Sequence, residues 1–156
     1  MRSRGFTLIE LVITVAIVGL LATAAFPLAE MAARRTKEQD LRLALREIRD
    51  ALDAYKIAFD QGRVLQEVGQ TGYPPDLESL VNGIEDAKDP DAGRIYFLRR
   101  LPRDPFFPDP SAPAAATWGL RSYASPPEDP RPGEDVFDVY SLSPGTGLNG
   151  VPYREW

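Results

Sequence analysis

Residues 6–29 read FTLIELVITVAIVGLLATAAFPLA and hold a single charged side chain, Glu10. As a helix at 1.5 Å per residue this run spans about 36 Å, enough to cross a bilayer core. The MRSRG before it carries two arginines and no acid. The positive-inside rule keeps that end cytoplasmic and sends the rest of the chain across the membrane. Residues 30–156 are then expected outside the inner membrane, or in an equivalent compartment. Composition then removes function classes. There is no cysteine and no histidine. That excludes a disulfide framework, a thiolate metal site and a cysteine nucleophile, and it removes the usual general base and the commonest metal ligand. A net charge of −5 argues against a broadly basic nucleic-acid binder.

Residues 30–63 are charged and helix-prone. Leu41, Leu45, Ile48, Leu52, Tyr55 and Phe59 fall at 4-3-4-3-4 spacing, which draws one apolar stripe along a helix. Glu38–Arg42, Arg46–Asp50, Arg49–Asp53 and Lys56–Asp60 are opposite charges four apart, expected on the outer face and contributing a few tenths of a kcal/mol each. No glycine or proline lies between Leu28 and Gln61, so one helix is predicted to run on from the apolar segment, with Gly62 as its stop.

From residue 64 the chemistry changes. Fourteen of the fifteen prolines lie beyond Gly72, and residues 64–156 carry 8 basic and 15 acidic side chains. Tyr96–Leu98, Trp118–Tyr123 and Val136–Leu142 read as short strands, the last being the best formed. PRDPFFPDPSAPAAAT and SPPEDPRPGED read as irregular loops. A small two- or three-stranded antiparallel sheet packed on the helix stripe is the economical fold, because a lone hairpin is marginal without an apolar partner.

Arg4-Gly5-Phe6-Thr7-Leu8-Ile9-Glu10-Leu11 resembles the class III signal of type IV pilins and type II secretion pseudopilins. The resemblance implies that a prepilin peptidase cuts between Gly5 and Phe6 on the cytoplasmic side and that the new amine of Phe6 is N-methylated. Residues 1–5 would then be a leader peptide, 6–29 a transmembrane and filament-core helix, 30–63 its amphipathic continuation, and 64–156 a periplasmic head. Other processing routes stay open. Ala22-Thr23-Ala24 has the form of a conventional signal-removal site, and the segment could also remain as an uncleaved single-span anchor.

Glu10 carries two compatible readings. Thr7-x-x-Glu10 fits a capping box that closes its own helix start. Beyond that, an unpaired carboxylate at a bilayer centre costs about 2.5–3.5 kcal/mol on insertion scales, less near an end. The resemblance implies that Glu10 of one subunit meets the Phe6 amine of a neighbour in a filament. Pro27 lies inside the predicted helix and should kink or locally unwind it. It also suits a plain membrane boundary.

Further along, Tyr73–Leu80 (YPPDLESL), Tyr96–Pro105 (YFLRRLPRDP), Asp138–Leu142 (DVYSL) and Gly147–Trp156 look like the major, G-type pseudopilin of type II secretion. On the residues themselves, Leu77, Leu80 and Val81 are expected in the core and Asp104-Pro105 in a turn. G-type pseudopilins hold calcium in a loop after the last strand, and here the sequence departs. Between Ser141 and Arg154 there is no Asp or Glu, whereas calcium usually takes six to eight oxygens, carboxylates among them. Asp138, Ser143 and Asn149 are the candidate ligands that remain. The expectation is no cofactor, with calcium left to experiment.

The reading is an α+β, type IV pilin-like fold: a long N-terminal helix whose soluble half packs on a small antiparallel sheet. The function is that of a structural pseudopilus subunit, not an enzyme. The implied setting is bacterial, a single-pass inner-membrane protein with its head in the periplasm. The implied partners are other copies of the chain, minor pseudopilins, prepilin peptidase, an inner-membrane assembly platform and a secretin, with no nucleic acid. The alternatives are a type IV pilin serving adhesion, motility or DNA uptake, and a membrane-anchored periplasmic binding module. A hydrolase built on Asp86 and Asp89 is a further alternative, although those acids read as part of a solvated loop.

Overall fold

The computed structural model describes residues 6–65, 69–91 and 93–156. The order is a helix α1 (Leu8–Asp60), a short helix α2 (Glu78–Asn82), strands β1 (Ile84–Glu85) and β2 (Arg94–Ile95), a 3-10 turn (Ala115–Thr117), strands β3 (Trp118–Arg121) and β4 (Asp138–Ser141), and a second 3-10 turn (Tyr153–Glu155). The chain divides into two compact units after Lys37.

In the first unit α1 stays helical through Pro27, so of the kink or local unwinding expected there no unwinding occurs. This stretch is long and apolar enough to cross a membrane, and none of its apolar window is buried within the chain.

In the second unit the same helix becomes amphipathic. The stripe is buried from Leu41 through Tyr55, with Leu41 and Ile48 fully covered and Phe59 packed at the edge. The periodicity read from the sequence thus marks the face that meets the core. Gly62 ends the helix in the left-handed region (φ 68°). The Gly62 N–H donates to the Phe59 carbonyl at 2.8 Å and the Arg63 N–H to the Ala58 carbonyl at 2.9 Å, the pairing of a Schellman cap.

The strands form two separate two-stranded antiparallel sheets, β1–β2 and β3–β4. Here the single sheet expected from the sequence is corrected. β3–β4 pairs Trp118 with Ser141 through Arg121 with Asp138. Tyr96–Leu98 is not a strand. The sheet residues are Arg94–Ile95, just before it, and the Phe97 and Leu98 amides both donate to the Leu80 carbonyl in α2. The sequence gives no sign of α2, because five residues carry too little periodicity to signal a helix. Leu77, Leu80, Val136, Val139 and Trp118 meet the α1 stripe in one core, with Val81 partly buried beside it. Gly119 lies opposite Tyr140, where a Cβ would come within 2.3 Å of the tyrosine ring. Only glycine lets that ring lie across the strand.

Two of the expected outer-face charge pairs, those of Glu38 and Arg49, are also corrected. Lys56 and Asp60 do pair along the helix. Glu38 and Arg49 instead turn towards the head: Glu38 is buried, and Arg49 bonds Asp138. Just past the helix, Arg63 reaches Asp86 at 2.5 Å. That guanidinium, helped by the Lys88 amide, holds the Asp86 carboxyl below its usual range. A carboxylate lowered on folding contributes above its unfolded pKa and loses that contribution as pH falls through the lowered value. Carboxyl titration by NMR should therefore find Asp86 more acidic than an ordinary aspartate, and Arg63→Ala should return it towards the ordinary value.

Candidate functional site

Two regions carry the candidate residues. The first is the N-terminal segment. Gly5 lies outside the described residues. Phe6 is 89% exposed and precedes the helix. The capping box forms: the Thr7 N–H and hydroxyl each donate to Glu10 Oε2 at 2.8 Å, and the Glu10 N–H donates to Thr7 Oγ1 at 3.3 Å. Glu10 in a single chain is thus occupied by its own helix start. Leu8, Ile9, Val15, Leu20, Phe26 and Leu28 are all more than 60% exposed. Such a surface is costly in water and stable in lipid or against other helices of its kind. Chemically, this segment offers one carboxylate on an otherwise uncharged, largely apolar cylinder.

The second region is the loop after β4. Thr146 bridges to Pro152, the Gly147 N–H donates to the Val151 carbonyl at 2.8 Å, and the Tyr153 N–H donates to the Gly145 carbonyl at 3.0 Å. Each of the three candidate calcium ligands has another partner. Asp138 lies on β4 between two guanidinium groups, with Arg49 Nε at 2.8 Å and Arg121 Nη2 at 3.5 Å. A dication there would face two fixed positive charges. Ser143 Oγ accepts the Gly145 N–H, and Asn149 Oδ1 accepts the Val151 N–H, both as local turn caps. Among the described residues no three His, Cys, Asp or Glu side chains gather where a metal could be held. This donor chemistry does not fit calcium. Asp86 and Asp89, the alternative hydrolase pair, serve local structure: Asp86 holds Arg63, and Asp89 caps the Asp91 and Gly93 amides.

Sequence reasoning missed the residues that organise this end of the head. Glu38, 5% exposed, accepts the Leu148 N–H at 2.8 Å and the Tyr153 hydroxyl at 2.9 Å, both on Oε1. A signal existed, since Glu38 extends the Leu41–Phe59 stripe by one further step of three. It was masked by the possible Glu38–Arg42 pair. Arg49 Nη2 donates to the Val139 carbonyl at 3.2 Å and to the Trp156 main-chain oxygen at 2.7 Å. Arg42 lies over the Trp156 ring at 4.2 Å. Asp104, expected in a turn, does cap the Phe106 amide, and it is also buried with the Ser141 hydroxyl on its second oxygen. Nothing in the local sequence marks Ser141 as its partner.

Residues 1–26 match the prokaryotic N-terminal methylation motif. Over 136 residues the chain is 29% identical to the type II secretion system core protein G of Klebsiella michiganensis, covering 85% of this chain and 88% of that one. No solved structure matches.

Proposed function

We infer that this chain is a pseudopilin of the type II secretion kind, related to core protein G, and that it is a structural subunit of a pseudopilus and not an enzyme. One observation carries the reading: an apolar helical segment with a single carboxylate, none of its apolar window buried within the chain, most of it inside the methylation motif of residues 1–26. Similarity to core protein G continues through the head. The subunit is stored in the inner membrane through its first helical segment, with the head in the periplasm. A prepilin peptidase removes residues 1–5, and Phe6 becomes the methylated N-terminus. Subunits then pack helix against helix, which buries the apolar surface that the single chain leaves exposed. Glu10 exchanges its contact with Thr7 for the Phe6 amine of a neighbour. The filament works with an assembly platform, minor pseudopilins and a secretin.

The intact mass and N-terminal residue of membrane-purified protein test this reading. A start at N-methylated Phe6 is the expected result. A start at Ala25 would mean that the segment had been discarded as an ordinary signal, and the reading would fail.

A further inference from the structure

We propose that the loop after β4 is held by the Glu38 carboxylate and does not depend on calcium. A metal organises a loop by gathering acceptors, namely carboxylates and carbonyls, around a positive centre. The arrangement here is the reverse. A buried negative oxygen gathers two donors, the Leu148 N–H at 2.8 Å and the Tyr153 hydroxyl at 2.9 Å. Bonds to an ionised acceptor are among the stronger hydrogen bonds of a protein. They join α1 to both sides of the loop tip across 110 and 115 residues of chain.

The surroundings reinforce the clamp. The Tyr153 ring stacks on Phe106 at 4.2 Å and meets Trp156 edge-on at 5.0 Å, so its hydroxyl is aimed by packing. The three candidate side chains are engaged locally: Asn149 Oδ1 with the Val151 amide, Ser143 Oγ with the Gly145 amide, and Asp138 between Arg49 and Arg121. Glu38 Oε1 already serves both loop donors. This inference concerns the head alone and stands or falls separately from filament assembly.

The test uses the full-length chain in detergent, stripped with EGTA. Calorimetric titration with calcium chloride should give no saturable heat, and millimolar calcium should leave the thermal midpoint unchanged. Glu38→Ala should lower that midpoint by about 3 °C or more and speed tryptic cleavage after Arg154, with no rescue by calcium. Tyr153→Phe keeps the ring and removes one donor, so it should move both readouts the same way by less. Saturable calcium binding that raises the midpoint of the native chain would overturn the proposal. So would a Tyr153→Phe protein indistinguishable from the native one in both readouts. If Glu38→Ala does not fold, the native titration and the Tyr153→Phe comparison still decide.

Discussion

Glu10→Val should enter the membrane as the native chain does and fail to build filaments. Removing a carboxylate from an apolar helix eases insertion, by up to about 2.5–3.5 kcal/mol if the site is central and by less near the end. The cost inside one chain is the capping box with Thr7, about 1 kcal/mol. Neither effect prevents storage in the membrane. Assembly is different, because it would bury the methylated amine of Phe6 among apolar helices. An uncompensated buried charge costs about 3–5 kcal/mol, a loss of roughly a hundredfold or more in the association constant. Membrane fractionation and filament yield by electron microscopy read the two steps separately. Glu10→Gln and Thr7→Ala separate the two roles of the carboxylate. Glu10→Gln keeps an oxygen for Thr7 and loses the charge, so it should still block assembly. Thr7→Ala loses the box and keeps the charge, so it should assemble far better. The opposite ranking would make Glu10 only a helix cap.

Ile48→Ala should destabilise the head by about 2–5 kcal/mol, the usual cost of a large-to-small change in a closed core. Ile48 is fully buried at the centre of the stripe. Truncation would open a cavity among the side chains of α1, α2 and the two sheets, and the helix backbone cannot collapse to fill it. Leu43→Ala is the control on the same helix. Leu43 is 59% exposed, so its truncation should change stability by no more than about 0.5 kcal/mol. Denaturant unfolding of the detergent-solubilised chain, followed by tryptophan fluorescence, measures both, since Trp118 is buried in the same core. Equal midpoints for the two variants would remove the stripe from its central place in the fold.

Helix α1 is legible in the sequence because its signals are local and repeated. An apolar run and a 4-3-4 stripe each accumulate over many residues, and Gly62 marks the end through its own backbone freedom. The sheets are less legible. β1 and β2 have two residues each, too short for a period of two to show. Their place depends on a carbonyl at Leu80 and a partner strand, not on Tyr96–Leu98 themselves. Charged residues are the least legible. Arg49, Asp104 and Asp138 look like surface charges in any local window, and Glu38 shows only as one more step of the stripe, yet each acquires a partner from a distant part of the chain.

The amino-acid sequence by itself determined the membrane-length apolar helix, its lone carboxylate and the buried face of its continuation. These depend on composition and period along one element, where neighbours in sequence are neighbours in space. Only the tertiary structure decided that Glu38 clasps the C-terminal loop, that Asp138 lies between two arginines, and that two small sheets share one core. Those contacts join residues up to 115 positions apart. Burial makes an unpartnered charge too costly, so the partner is chosen by which groups the folded chain brings within hydrogen-bond reach.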